Sequence, residues 1–475
     1  MVTSYDLIVI GSGPGGQNAA IQAAKFGKKV LVIEKQRELG GACLHHGTIP
    51  SKTLRASAFE LSTLQASAGH LEGALDAGEK MTRLRDHLSQ VIASHVQVNT
   101  QQLEHYKIQR AHGHARFVTP HELEIIHPDS TKEAVHGEKV VIASGSRPRQ
   151  PENITLDHEQ ILDSDSLLAL DYLPEKLTIL GSGIIACEYA SIFAALGVQV
   201  TMIDRHPTPL GFLDADLSET FVRSIESFSG VFLGQETIAS ITTDDFLGVT
   251  TTLESGKVIV SDKILIALGR VPNVESLGLD NAGVKLSPRG TILVNDAYRT
   301  SQANIAAVGD VIGPPALASY SMDQGRRAVT NFFGEDTGSC TDLIPMGIFT
   351  IPEIACVGLS EKNAHKRAQE SGESFLVGHS QFGEIARGNI STHGHGHGML
   401  KLISDAQGEK LLGVGISGEG AIELVHIGQM ALRCHATIRD LVETVFNFPT
   451  LAEAYRVAAL DILRQRPDQR AKQAA

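Results

Sequence analysis

Residues 7–10 form a short uninterrupted apolar run that stops at a glycine-rich stretch containing Gly11, Gly13 and Gly16. From 17 to 26 the apolar positions take helical spacing, and 29–33, apolar after Lys29, reads as a second strand ending in Glu34. Apolar runs this short, bounded by glycine, read as buried strands, so the pattern predicts one strand–helix–strand unit. It recurs further on: an apolar run at 177–180, then Gly181, Gly183 and Ala186, a helical stretch to Leu196, and a closing run that ends at Asp204.

Between the two units, residues 49–106 are largely helical by pattern, and 113–119, 121–126 and 139–148 read as strands returning to the first sheet. A boundary near Pro151 follows. After the second unit, strands are predicted around Val231, Val249 and Ile264, then at 292–296 (ILVND) and 304–311 (NIAAVGDV). From Leu343 the pattern changes to strands of antiparallel type followed by helices at 421–434 and 451–464, which predicts a third domain.

With 54 acidic against 41 basic residues, the net charge of -13 argues against nucleic acid as a partner. Cysteines at 43, 187, 340, 356 and 434 include no CxxC pair, which suits a reducing compartment and makes the cytoplasm the expected location. The chain enters its first strand with no charged or apolar leader, and no run approaches the ~18 apolar residues of a membrane span, so neither secretion nor membrane insertion is expected. The HGHGHG segment at 393–398 reads as a surface turn, because glycine between successive histidines gives no rigid frame for a metal; no metal site is expected. The basic tail with Arg464, Arg466, Arg470 and Lys472 reads as a solvated end.

Each glycine-rich turn carries a recognisable chemistry. In the first, Gly11 permits a tight turn, Gly13 lets backbone approach a pyrophosphate, and Gly16 allows close helix packing, while Glu34 is placed to accept hydrogen bonds from ribose hydroxyls. In the second, Asp204 suits the free 2′-hydroxyl of NAD(H) and opposes the 2′-phosphate of NADP(H), whereas the adjacent Arg205 suits that phosphate; both cofactors remain open. Two dinucleotide sites in one chain are implied.

SYDLIVIGSGPGG, GGACLHHGTIPSK, VVIASGSRP, GSGIIACEYA, ALGRVPN, NIAAVGDV and FPTLAEAYRVAAL occur here in the order in which the flavoprotein disulfide reductases carry such motifs, and the chain resembles that family over essentially its whole length. The resemblance implies an α/β protein with two Rossmann-like dinucleotide-binding domains, for FAD and NAD(P), and a C-terminal α+β dimerisation domain. It assigns residues 1–150 and 276–342 to the FAD domain, 151–275 to the NAD(P) domain and 343–475 to dimerisation, and implies a homodimer or larger homo-oligomer. As cofactor-binding positions it marks Lys35, Gly40, Gly41, Ala42 and Cys43, Gly269 and Arg270, and Asp310 for the FAD ribitol. It further implies a catalytic pair, Lys52 with Glu188, beside the flavin.

Two departures from the family pattern decide the expected activity. Thr48 stands where dithiol members carry a second cysteine, and Phe448 where they carry a histidine base ahead of a glutamate, here Glu453. A threonine cannot form the disulfide and a phenylalanine cannot return a proton. The losses resemble the transhydrogenase branch of the family, implying hydride exchange between NADPH and NAD+ through FAD; a lipoamide dehydrogenase-like disulfide reductase or an NAD(P)H diaphorase is the alternative. Cys43 without its partner is expected to pack against the flavin, Cys187 to be a small core residue, and His45, His46 and His426 to play no part in the chemistry.

Overall fold

The first glycine turn lies between a strand, Thr3–Ile10, and a helix, Pro14–Lys25, in the computed structural model, which describes residues 2–68, 77–244, 246, 248–334, 343–390 and 398–466. The chain folds as two compact units: Met1–Thr53, Thr82–Glu152 and Leu268–Cys340 form one, and Leu54–Met81, Asn153–Ala267 and Thr341–Ala475 the other.

In the first unit, Thr3–Ile10 pairs in parallel with Val30–Glu34 on one side and Lys132–Ile142 on the other. Gln109–His112 extends the sheet beyond Val30–Glu34, and Ile305–Ala307 joins Lys132–Ile142, both in parallel. Leu7, Ile8, Val9, Val140, Val141 and Ile142 are all fully buried, because a parallel sheet is covered on both faces. That is why these strands read as unbroken apolar runs. Each such side chain contributes about 1.5–3 kcal/mol by leaving water.

The glycine-turn helix covers this sheet with Ala19, Ala20 and Ala23 and packs on a second helix, Ala318–Phe333. The two approach so closely that a Cβ on Gly325 would collide with the carbonyl oxygen of Gly15. Small residues therefore lock the return segment to the first turn. The expected strand at 292–296 is not formed: only Ile292 makes an isolated bridge, to Leu286, and the Asn295 side chain accepts the N–H groups of Ala297 and Arg299. A side chain that satisfies nearby backbone donors favours a turn over a ladder. The NIAAVGDV segment is a strand only at Ile305–Ala307 and continues as a short 3-10 turn, Gly309–Ile312.

The second unit repeats the device. Lys176–Leu180, the helix Ile184–Ala195 and Gln199–Asp204 build the centre of a five-stranded parallel sheet completed by Val231–Gly234, Lys263–Ile266 and Ile161–Leu162. A separate five-stranded antiparallel sheet runs Met346–Ile348, Ile354–Gly358, Leu411–Ser417, Met399–Asp405, Phe375–Gln381, packed by the helices Ala421–Arg433 and Glu453–Gln465. The antiparallel strands and both helices follow the sequence expectation for this segment. The helix Glu361–Ser371 was not anticipated.

Lys401, in the middle of the antiparallel sheet, is fully buried, and its ammonium lies 2.9 Å from Asp214, 2.8 Å from Asp216 and 2.9 Å from Glu361. Burial alone would lower its pKa, but the hydrogen bonds it donates to Asp216, Asp214 and Glu361 override that and raise it. Asp214 also accepts the backbone N–H groups of Glu361 and Lys362, both at 3.0 Å. The three carboxylates have the spacing of a cation site, and the lysine is the cation that they hold. The clamp fixes the segment that follows Gln199–Asp204 to the antiparallel sheet.

Candidate functional site

Glu34, at the end of its strand, is buried beneath the first glycine turn. Its Oε2 accepts from the Ser12 backbone N–H at 2.8 Å and the Ser12 hydroxyl at 2.7 Å, and its Oε1 from the Gln36 N–H at 2.9 Å. Ser12 Oγ in turn accepts from the Gly40 N–H at 3.1 Å, bringing the Gly40, Gly41, Ala42, Cys43 stretch to the same turn. Gly11 has φ +99°, open to glycine alone at low cost, and a side chain there would collide with Ala143. A Cβ on Gly13 would meet no protein atom within 4 Å, and Gly13 opens the helix as its N-cap. Open space over a helix N-terminus, with a fixed carboxylate at the neighbouring strand end, fits the pyrophosphate and ribose of a dinucleotide. Lys35 is exposed at the rim.

The second turn has the same construction. Gly181 has φ +118°, a Cβ on Gly183 would meet nothing within 4 Å, and Gly183 is the N-cap of Ile184–Ala195, where Ala186 is buried. Burial pulls the Asp204 carboxyl up, but the His206 N–H at 2.8 Å, the His206 side chain and the Ser182 hydroxyl together hold it below the usual range. The His206 ring adds a contact that the first turn lacks, Nδ1 to Asp204 Oδ1 at 2.6 Å. Arg205 is exposed beside them.

A third cluster joins two expected positions through one that was not expected. Asp310 Oδ2 accepts the Ser146 hydroxyl at 2.6 Å, and Ser146 Oγ accepts from Arg270 Nε at 2.8 Å, while Arg270 Nη2 reaches the Ser146 carbonyl at 2.8 Å. The backbone pairing of Ser146–Pro148 with Arg270–Pro272 sets this register. Gly309, preceding Asp310, donates its N–H to Gln324 at 2.7 Å. Gly269, at φ +97°, accepts the Arg149 N–H at 3.0 Å.

Cys43 lies in the short helix Gly41–His45 and Thr48 opens the helix Thr48–Ala68. Burial pushes the Cys43 thiol up; the Thr48 hydroxyl, hydrogen-bonded to it, and Lys52 pull it down, and Asp310 adds to the rise. The net shift is upward, the reverse of an activated thiolate. Cys43, Cys187, Cys356 and Cys434 are all free thiols, and the last three belong to the second unit. Lys52 is in the first unit, with Nζ 3.3 Å from Ser51 Oγ. Glu188 is in the second, buried, with Oε1 accepting the Phe349 N–H at 2.9 Å.

Two of the histidines expected to take no part in the chemistry have local partners: His45 Nε2 contacts the Leu39 carbonyl and His426 Nδ1 the Gln429 side chain, each at 2.9 Å. Cys187 is fully buried, its thiol raised well above the ordinary value by burial. Residues 393–397, Cys340, Arg470 and Lys472 lie outside the described residues. Ser12, Ser146, Ser182 and His206 were missed as site residues. The signal for two of them was present, since a serine stands between the first two glycines of both turns.

Two glycine-turn sheets, each ending a strand in a fixed carboxylate, together with an antiparallel C-terminal sheet, define an α/β oxidoreductase scaffold for two dinucleotides. The pyridine nucleotide-disulphide oxidoreductase family model matches residues 5–325 and the dimerisation domain of that family matches residues 344–459; the chain belongs to this family. Relatives named soluble pyridine nucleotide transhydrogenase include those of Mycobacterium bovis, 40% identical with 97% of each chain covered, and of Pseudomonas aeruginosa, 38% identical with 98% of this chain and 99% of the relative covered. Among solved structures, the HOCl-induced flavoprotein disulfide reductase RclA from Escherichia coli, as its Cu(II) complex, superposes with a TM-score of 0.86 at 26% identity, covering 97% of this chain and 99% of the other. LpdA from Mycobacterium tuberculosis gives the same values, TM-score 0.86 and 26% identity over 97% and 99%. Among the described residues, no helix is long and apolar enough to cross a membrane.

Proposed function

We propose that the protein is an FAD-dependent, Si-specific pyridine nucleotide transhydrogenase of the cytoplasm, moving reducing equivalents from NADPH to NAD+ without a redox disulfide. The observation that carries this reading is the Cys43–Thr48 pair: a thiol raised by burial, hydrogen-bonded to a hydroxyl in the place of a second sulfur. The names of the relatives support it. When bound, FAD accepts two electrons as a hydride from one nicotinamide nucleotide and delivers them to another.

Each group on the chain then has a task. The turn at Gly11, Gly13 and Gly16 seats the FAD pyrophosphate, Glu34 accepts from ribose hydroxyls, and Asp310, held by Ser146, accepts from the ribitol. Gly181, Gly183, Ala186, Asp204 and Arg205 seat the nicotinamide nucleotides, which enter and leave one after the other. Lys52 supplies positive charge beside the reacting ring and Glu188 offsets it, an assignment taken from the resemblance. No proton base is needed at Phe448, and among the described residues Glu453 Oε2 is buried with no hydrogen-bond partner, as expected for a carboxylate whose histidine is gone.

Residues 1–150 with 276–342 are assigned to FAD, 151–275 to NAD(P) and 343–475 to a homodimer contact. Exposed Val445 and Phe448, within the segment that the dimerisation model matches, support the last assignment. Steady-state rates with NADPH and an NAD+ analogue test the whole reading. Parallel double-reciprocal lines and no turnover of lipoamide are expected; intersecting lines, or brisk lipoamide reduction, would contradict it.

A further inference from the structure

Arg55, on the helix Thr48–Ala68, is a buried cation with no part in the steps assigned to Lys52 and Glu188. Its Nη2 lies 2.8 Å from Glu419 and its Nη1 3.4 Å from Glu353, while Nε donates to the Thr350 carbonyl at 3.3 Å. The guanidinium carbon sits over the Phe59 ring, 4.9 Å from its centroid. Burial raises the Glu353 carboxyl above its ordinary value, Arg55 opposes the rise and Glu419 adds to it. All of these residues belong to the second unit. A buried ion cluster is a poor source of stability in itself, so the placement of Arg55 turns attention to what it holds.

That is the stretch from Phe349 to Glu353, which joins Met346–Ile348 to Ile354–Gly358 and is not itself a strand. From Thr350 onward each of its carbonyls is engaged: Thr350 by Arg55, Ile351 by the Ser224 hydroxyl at 2.7 Å, Pro352 by the Thr350 hydroxyl at 2.6 Å, and Glu353 by the Gly418 N–H at 2.8 Å. At the other end, the Phe349 N–H donates to Glu188 Oε1 at 2.9 Å. Of these four carbonyl contacts, the one from Arg55 is nearest along the chain to that donor. A carboxylate that takes a backbone donor is placed only as well as the backbone that carries it.

We propose that Arg55 is a positioning residue for hydride transfer: anchored by Glu353 and Glu419, it fixes the Thr350 carbonyl and thereby the Phe349 N–H that orients Glu188. The proposal rests on the reading above, in which Glu188 offsets Lys52 beside the reacting ring. Arginine suits the task, because its rigid fork reaches two carboxylates and a carbonyl from three different nitrogens. A lysine ammonium keeps the charge but offers a single nitrogen on a flexible stem, and cannot hold the same three partners in the same directions. Arg55 acts through the Phe349–Glu353 backbone and not through the nucleotide seat at Gly181, Gly183 and Asp204. Its loss should slow the hydride step and leave nucleotide affinity unchanged.

The test uses the FAD-loaded enzyme under anaerobic conditions, with Arg55→Lys, Glu188→Gln and the double variant beside wild type. Flavin reduction by NADPH is followed by stopped flow, which gives a limiting rate per bound flavin and an apparent Kd. Arg55→Lys should lower the limiting rate about tenfold, the effect of a displaced group, and leave the apparent Kd within about twofold. In the Glu188→Gln background, where the carboxylate charge is already gone, the same change should add less than about a twofold loss. If Arg55→Lys does not retain FAD, Arg55→Met combined with Glu353→Gln and Glu419→Gln replaces the whole ion cluster by neutral groups and carries the same expectations. A limiting rate within about twofold of wild type, with only the thermal midpoint lowered, or losses that multiply in the double variant, would overturn the proposal. These rates are read from the NADPH half-reaction alone. A wild-type enzyme whose reduced flavin fails to pass its electrons to NAD+ would therefore overturn the transhydrogenase reading and not the role of Arg55.

Discussion

Cys43 and Thr48 are joined by a hydrogen bond where the family's dithiol members have a disulfide, and the thiol is pushed up by burial. A thiol that is neutral at working pH and has no sulfur partner beside it is a packing group. Cys43→Ala should therefore leave transhydrogenation within about twofold of wild type once rates are normalised to bound FAD. A tenfold or greater loss in turnover at full FAD content would give the sulfur a chemical role.

Ser12 supplies two of the three donors that hold the buried Glu34 carboxylate, one of them through its side chain. Ser12→Ala removes the hydroxyl and leaves a buried carboxylate under-satisfied, at a cost of about 1.5–3 kcal/mol. The variant should release FAD more readily, seen as a lower ratio of flavin to protein absorbance after gel filtration. Undiminished flavin retention would show that Glu34 is not reading the FAD ribose.

Ser146 relays Arg270 to Asp310, two residues distant in sequence and adjacent in the first unit. Ser146→Ala should lower FAD affinity more than Thr53→Ala, whose hydroxyl bonds only to the Ile49 carbonyl of its own helix. Comparable FAD dissociation constants for the two variants would remove Asp310 from the cofactor's contacts.

The Lys401 clamp makes a stability prediction with a defined pH sign. Lys401→Met leaves three carboxylates facing one another without their cation, and should cost about 3–5 kcal/mol. Asp214 is held below its ordinary pKa against the upward pull of burial, by hydrogen bonds from Lys362, Lys401 and Glu361. Its contribution is present above the unfolded-state value of about 3.9 and is lost as pH falls through the lower folded value. Thermal unfolding of Asp214→Asn should start from a lower midpoint at neutral pH and show a shallower decline in acid than wild type. Parallel acid limbs would rule out this linkage.

The glycine turns, their acidic strand ends and the change to antiparallel pairing after Leu343 were legible because each is written in local sequence: apolar run, glycine spacing, charge at the run's end. The strand expected at 292–296 failed because the pattern of Ile292, Leu293 and Val294 is apolar, whereas the turn is decided by one side chain, Asn295, capturing its neighbours' N–H groups. Ser146 with Asp310, and Lys401 with Asp214, were out of reach because their partners are separated by more than a hundred residues and meet only after the sheets form. The His206–Asp204 contact is local, two residues apart, but depends on a rotamer that spacing does not reveal.

Counting electrons tests the central claim most directly. Under anaerobic conditions the oxidised enzyme is titrated with NADPH while the visible flavin band is followed, and NAD+ is then added. A disulfide reductase holds a second two-electron acceptor, and full reduction takes two equivalents per flavin with a thiolate–flavin charge-transfer band at the midpoint. The account predicts complete bleaching at one equivalent, no such band, and recovery of absorbance with stoichiometric NADH on adding NAD+. Uptake of two equivalents, or a flavin that bleaches and is not reoxidised by NAD+, would contradict it.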